Sequence, residues 1–218
     1  MNSTQSKSHL IARSIILCLG LAIMALGVAC SIHATLGTSP ISSFPYVTSC
    51  VSGLSVGTTT ILMNCAFVLL QILILRRNYQ WIQLLQIPAA ILFGLVIDLG
   101  VLLIEPIPCP NYLAQWGFCA LGILLVGLGV GIEVMAGLIT TAGEGLVLAI
   151  CKVCPIPFGN MKILFDVSLV CLSVVVSFLF LHTLSGVREG TFVAAFCVGL
   201  VAKCLSKPLA QLERRYLS

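Results

Sequence analysis

Six long apolar runs are the feature that most constrains the fold of this chain. Most of them have the roughly 17–25 residues that a helix needs to cross the hydrocarbon of a bilayer. Inside a bilayer the backbone must satisfy its own hydrogen bonds, so the spanning elements are helices. Only 8% of the residues are charged and 59% are hydrophobic, whereas soluble domains carry about 25% charged residues. The sequence predicts one all-α membrane domain, residues 1–218, with spans at 14–36, 57–75, 82–104, 115–137, 159–181 and 190–205.

An internal repeat relates the two halves of the chain. An offset of 102 residues, which becomes 105 in the last helix, pairs Gly27 with Gly129 and Asn64 with Asp166. Internal repeats in an apolar chain are typical of transporters and channels whose site lies where the halves meet. The two repeats cover residues 11–104 and 113–206.

Basic residues cluster at three places: before the first run, after the second run and around the end of the last. The positive-inside rule puts all three places in the cytoplasm. The loop 105–114, which has no Lys or Arg, then lies outside, and both termini are cytoplasmic after six crossings. The net charge of +4 therefore reflects membrane orientation and predicts no nucleic-acid partner. The basic residues of these three clusters are Lys7, Arg13, Arg76, Arg77, Lys203, Lys207, Arg214 and Arg215.

Two shorter apolar stretches, 39–52 and 140–154, remain between the long runs. If both crossed the membrane fully, Arg76 and Arg77 would lie outside, so we interpret both stretches as re-entrant or interfacial helices. Each repeat then has three full crossings. Because three is odd, the second repeat is predicted to be inverted relative to the first, with the dyad in the membrane plane.

Each short helix has polar residues at its predicted start. Thr38 and Ser39 precede Pro40, a residue suited to the first helical position, and Thr140 and Thr141 begin the second short helix. The free N–H groups of a helix start would attract an anionic or strongly dipolar solute if they lay within the membrane. The same residues also fit ordinary capping of a surface helix.

Polar residues inside the spans are the main candidates for solute binding. Asn64 and Asp166 occupy equivalent positions, and Lys162 is one helical turn before Asp166. Intramembrane ionisable side chains are costly and usually face a bundle interior or an aqueous cavity. Glu144 lies in the second short helix between two glycines. The alternative for Lys162 and Asp166 is an ion pair that only holds helices together.

Other polar residues give weaker indications. Glu133 and Asp98 lie nearer the span ends, where each fits a site and a membrane interface equally well. Cys151 and Cys154 have the spacing of a redox or metal motif, but no second pair and no nearby histidine completes a metal site. No nucleophile and base pattern indicates catalysis.

Glycines recur at seven-residue spacing in the first helix of each repeat, at Gly20 and Gly27 and at Gly122 and Gly129. Small residues let helices approach closely in lipid. These four positions predict helix packing where the two repeats meet.

Several motifs resemble those of the YitT/YczE-type family of bacterial membrane proteins, in its branch of unknown function. The similarity covers about residues 11–206 and rests on six motifs, three in each half. It implies a protein of the bacterial inner membrane, and it implies no substrate. One departure is Ala142, where relatives often have proline before Gly-Glu-Gly. The motifs of the first half are Gly37-Thr38-Ser39-Pro40, Leu54-Ser55-Val56-Gly57-Thr58, and Leu85-Gln86-Ile87-Pro88 with Ile97-Asp98. Those of the second half are Gly143-Glu144-Gly145, Phe158-Gly159-Asn160-Met161-Lys162 with Phe165-Asp166, and Gly186-Val187-Arg188-Glu189-Gly190-Thr191.

The sequence thus predicts a small-solute transporter with no cofactor, no metal and no catalytic residues. Asp166 or Glu144 is expected to carry a coupling proton, because burial raises the pKa of a carboxyl group. The alternative is a non-transporting membrane subunit or the substrate-binding component of a larger membrane complex. The predicted partners are the lipid bilayer and a small solute, and a homo-oligomer or a membrane partner is compatible with the sequence. The predicted solute-binding residues are Thr38, Ser39, Asn64, Thr140, Thr141, Glu144, Lys162 and Asp166.

Overall fold

The computed structural model describes residues 3–183 and 185–216, with side chains over 10–183 and 185–205. Over these residues the chain forms eight α-helices and no strand. Two short 3-10 helices, Arg76–Asn78 and Trp81–Leu85, lie between α3 and α4, and a π-helical turn, Ser177–Leu181, ends α7. The α-helices are α1 (Ser3–His33), α2 (Pro40–Ser52), α3 (Val56–Leu75), α4 (Gln86–Ile104), α5 (Tyr112–Ala136), α6 (Ala142–Val153), α7 (Phe158–Val176) and α8 (Glu189–Tyr216).

Five of the six predicted spans correspond to helical segments that are long and apolar enough to cross a membrane, and over the described residues the predicted span 190–205 is not among them. The five segments are Leu10–His33, Val56–Asn78, Trp81–Ile104, Tyr112–Ala136 and Phe158–Leu181. Large apolar side chains cover their outer surfaces, including Leu69 (61% exposed), Leu102 (66%) and Leu164 (59%). Such a surface suits lipid better than water.

The two predicted short helices are also present, as α2 and α6. Pro40 is the first residue of α2, as its missing N–H predicts. The predicted end of the first span at residue 36 is wrong, because α1 ends at His33. The chain turns immediately afterwards through two left-handed residues, Thr35 with φ 54° and Gly37 with φ 94°, which a helix cannot contain.

The repeat-equivalent helices α1 and α5 pack directly against each other. A Cβ atom on Gly27 would lie 2.7 Å from the Val126 nitrogen, and one on Gly129 would lie 2.7 Å from the Gly20 oxygen. Gly27 also faces Gly122, so contacts run in opposite directions along the two helices and the pair is antiparallel. The predicted packing role of the glycines is confirmed.

Each repeat places its third helix against the short helix of the other repeat. In one contact, the Gln71 Nε2 of α3 donates to the Ala142 oxygen of α6 at 3.0 Å, and Gln71 also faces Gly145. In the other, the hydroxyl groups of Ser173 in α7 and Ser43 in α2 are 3.0 Å apart. The offset of 102 converts Gln71 into Ser173 and Ser43 into Gly145. The two contacts are therefore equivalent under the repeat.

Candidate functional site

A cavity of about 360 Å³ lies between the two repeats and is lined by residues from all eight helices. Its volume falls within the range of about 300–1,000 Å³ that is usual for ligand sites. The walls are mainly apolar, with side chains such as Leu21, Met24 and Phe93. Polar groups line the cavity from α2, α3, α4, α5, α6 and α7.

The structure brings seven of the eight predicted solute-binding residues to this cavity. Thr38 is the exception, and its predicted place beside the other seven is wrong. Its backbone N–H donates to the Gly186 oxygen at 3.1 Å, which holds it toward the loop before α8. Thr38 instead lines a second cavity of about 210 Å³ together with Arg188, and within the described part of the chain its buried Oγ1 has no hydrogen-bond partner. The seven residues at the main cavity are Ser39, Asn64, Thr140, Thr141, Glu144, Lys162 and Asp166.

An ion pair dominates the charged part of the cavity. The Lys162 Nζ lies 2.7 Å from the Asp166 Oδ1, and the two side chains are 26% and 27% exposed. The Lys162 ammonium group also lies 5.9 Å from the centre of the Phe165 ring, within the range of a cation–π contact. The predicted i,i+4 pair is confirmed, and it faces the cavity.

Glu144 adds a carboxyl group to the same region. The residue belongs to the first turn of α6 and lies outside the five candidate spans. Burial is the main effect that raises the pKa of Glu144; the charge of Lys162 opposes this effect, and the charge of Asp166 adds to it. Lys162 therefore acts electrostatically on two carboxyl groups.

Glu133 is a cavity residue that the sequence left undecided between site and interface. It is 4% exposed and lines the cavity from α5. Its Oε1 accepts the backbone N–H of Thr141 at 2.7 Å, so the Glu133 carboxyl group satisfies an N–H group at the start of α6. The sequence did contain an indication that Glu133 belongs to the site. Its equivalent in the first repeat is Ser31, so a polar residue recurs at this position in both repeats.

Asp98, the other undecided residue, has a different place. Its Oδ2 accepts the Ser55 hydroxyl at 2.6 Å, and its Oδ1 accepts the Gly57 N–H at 2.7 Å. Asp98 thus caps the start of α3 from α4 and does not line the cavity.

Amide side chains line the cavity from the first repeat. Asn64, which is 8% exposed, donates its Nδ2 to the Thr60 oxygen at 2.9 Å. Gln86 lines the cavity and accepts a hydrogen bond from the Gln71 Nε2 at 2.9 Å. The sequence analysis did not identify Gln86 as a cavity residue. The offset of 105 pairs Gln86 with Thr191, so a polar residue occurs at this position in both repeats.

Both short helices start at the cavity. Ser39 is the N-cap residue of α2 and Thr141 that of α6, but neither side chain caps its own helix. The Ser39 hydroxyl donates instead to the Ser42 Oγ at 3.0 Å. At α2, Pro40 has no N–H group and the Ser42 N–H donates to the Ser39 oxygen at 2.9 Å. Few first-turn N–H groups of α2 therefore remain for a solute, and the start of α6 offers more of them.

The cavity therefore combines one ammonium group with three carboxyl groups, those of Glu133, Glu144 and Asp166. Such a set can bind a cationic or dipolar solute, and a carboxyl group in apolar surroundings can exchange a proton. The apolar walls would contact the remainder of the solute.

The chain is similar to one curated protein of Bacillus subtilis (strain 168), "Uncharacterized protein YyaS", with 28% identity over 133 residues. The match covers 61% of this chain and 65% of the relative, so the chain spans slightly less than two thirds of that relative's length. No solved structure matches the chain. The matches support a family of unknown function, and they include no YitT/YczE match of the kind that the motifs suggest. Residues 11–207 match the "Family of unknown function (DUF6198)", and the chain belongs to that family.

Proposed function

We propose that the chain transports a small dipolar or cationic solute across the bacterial cytoplasmic membrane. The central observation is the cavity between the repeats, where Lys162, Asp166, Glu144 and two helix starts face one space. Charged groups inside a membrane bundle usually mark a solute or ion pathway. Binding sites between structural repeats are typical of secondary transporters.

The packing supports two inverted repeats of three spans. The equivalent helices α1 and α5 are antiparallel, whereas a dyad along the membrane normal would keep two equivalent spans parallel. We assign α8 as the sixth span, because its 28 residues correspond to about 42 Å of helix. With six spans, both termini lie in the cytoplasm and loop 105–114 lies outside.

Proton coupling is part of the proposal. Glu144 is half-buried, close enough to Lys162 and Asp166 for its pKa to respond to both. Binding or release of a cationic solute would change this balance, which couples proton occupancy to solute occupancy.

The test starts with purified protein in detergent and a panel of small amines, amino acids and carboxylates, scored by thermal stabilisation. A stabilising solute is then assayed for uptake into proteoliposomes, with and without an imposed pH gradient. We expect Glu144→Gln to abolish the stimulation by the gradient, while the matched loop variant Glu105→Gln keeps it. A solute that binds without crossing the membrane under any gradient would contradict transport and favour a non-transporting membrane subunit.

A further inference from the structure

The two halves differ in the contact between their last two long helices, α3 with α4 in the first half and α7 with α8 in the second. We call these two contact surfaces the α3–α4 seam and the α7–α8 seam. The first is closed and the second is open. In the first repeat α3 and α4 pack tightly: a Cβ atom on Gly94 would lie 2.6 Å from the Gly57 oxygen. In the second repeat the equivalent glycines are Gly159 and Gly199. A Cβ atom on either would meet no described atom within 4 Å, and over the described residues α7 and α8 make almost no contact.

The open seam is part of the cavity wall. Ile163 of α7 and Gly199 and Ala202 of α8 line the cavity, and Ile163 is 65% exposed. In the proposed topology the tight glycine contact lies toward the outer end of α3, and the open one lies toward the inner end of α7. In that topology the closed helix contact lies on the outer side of the cavity and the open one lies on its inner side.

A difference in sequence accounts for the difference between the seams. Asp98 of α4 accepts hydrogen bonds from Ser55 and Gly57 at the start of α3, and a carboxylate stabilises a helix start. The offset of 105 puts Lys203 at the equivalent place in α8. A cation cannot accept these hydrogen bonds, and Pro157, at the start of α7, provides no side-chain cap.

We propose that the α3–α4 seam is the outer gate of the cavity and the α7–α8 seam is its inner gate. The hydrogen bonds of Asp98 to Ser55 and Gly57 keep the outer gate closed. This inference rests on the proposed transport function and adds the regulation of access to the same cavity. In the alternative state α7 and α8 close through Gly159 and Gly199, and α3 and α4 separate. Because each repeat then adopts the conformation that the other had, the cavity opens first to one side of the membrane and then to the other.

The experiment measures both seams by double electron–electron resonance in lipid nanodiscs, using the full chain. Spin labels on non-canonical amino acids leave the native cysteines in place. The chain offers matched lipid-facing pairs: Leu62 and Leu95 across the outer seam, and Leu164 and Leu200 across the inner seam. These four side chains are between 57% and 59% exposed, and the repeat offsets convert the first pair into the second.

In the unmodified chain we expect a short distance at the outer pair and a long one at the inner pair. Asp98→Asn is expected to add a long-distance population at the outer pair, because the amide weakens the bonds to Ser55 and Gly57. Lys203→Asp, which installs an acid at the inner seam, is expected to add a short-distance population at the inner pair. Distances that neither variant changes would overturn the two-gate proposal and leave a fixed asymmetry.

Blocking variants complete the test. Gly199→Leu fills the inner seam, so we expect it to remove the short-distance population that Lys203→Asp creates. Gly117→Leu is the matched control, since a Cβ atom there also meets nothing within 4 Å but no seam is involved. Persistence of the short distance in the Gly199→Leu background would overturn the role of the glycines. Because these distances need no solute, their failure is distinguishable from a failure of transport, which the proteoliposome assay reports.

Discussion

Lys162→Met should destabilise the protein far more than Asp166→Asn does. Lys162 acts on two carboxyl groups, Asp166 at 2.7 Å and Glu144. Its removal therefore leaves two like charges in a largely apolar cavity. Asp166→Asn keeps Glu144 as a counter-charge for the ammonium group, so less electrostatic stabilisation is lost.

The expected magnitudes follow from the burial of the pair. Removing one partner of a fully buried ion pair costs about 3–5 kcal/mol. The side chains are 26% and 27% exposed, so partial solvation reduces the expected loss for Lys162→Met to about 2–3 kcal/mol. For Asp166→Asn we expect about 1 kcal/mol. At roughly 2–4 °C per kcal/mol for a chain of this size, the midpoints should fall by about 4–12 °C and about 2–4 °C, respectively.

The assay is thermal unfolding of the purified protein in detergent at neutral pH, followed by tryptophan fluorescence. Lys152→Met is the matched control, because Lys152 is exposed near the end of α6, and we expect a change within about 0.5 kcal/mol. The double change Lys162→Met with Asp166→Leu should recover only part of the stability, since Glu144 stays without its cation. Equal losses for Lys162→Met and Asp166→Asn, or full recovery in the double variant, would refute the argument that Lys162 serves two carboxyl groups.

Three further predictions concern packing, the start of α6 and topology. Gly27→Ala should cost about 1–3 kcal/mol through overpacking against α5, whereas Gly117→Ala at an open helical position should be neutral or stabilising; similar midpoints for both would refute the close α1–α5 contact. Glu133→Gln keeps an acceptor for the Thr141 N–H and should unfold within about 1 kcal/mol of the unmodified chain, whereas Glu133→Leu should lose about 1–3 kcal/mol; equal effects in thermal unfolding would show that the hydrogen bond is unimportant. In variants with a single cysteine, an impermeant thiol reagent should label Cys109 from outside intact cells and an introduced cysteine in Arg77→Cys only in inverted vesicles; external labelling of Arg77→Cys would contradict the six-span topology.

The sequence predicted the helices well because their boundaries depend on local properties. Apolar length defined the spans, and Pro40 marked the start of α2. The Lys162–Asp166 pair was predictable because residues four apart on a helix are neighbours. The glycine packing was predictable because only small residues allow two helices to approach so closely in lipid.

The remaining features depend on which helices meet, and one sequence does not report this. Glu133 and Asp98 both lie near span ends, yet Glu133 lines the cavity and Asp98 caps α3. Their roles follow from the neighbouring helix in each case, α6 for Glu133 and α3 for Asp98. Thr38 was misplaced for a similar reason, because its backbone bond to Gly186 connects it to a loop more than a hundred residues away.

The reciprocal contacts of the short helices also determine the order of events during biosynthesis. The α2 helix packs on α7, and α3 packs on α6, so both leave the ribosome before their packing partners have been synthesised. The first repeat can insert into the bilayer, but Ser43 meets Ser173 only after 130 further residues have been added. A chain interrupted between α4 and α5 would consequently hold an incomplete bundle, in which α2 and α3 lack their partners α7 and α6. Co-expression of the second repeat as a separate polypeptide would supply the missing surfaces, because the contacts that join the repeats are non-covalent.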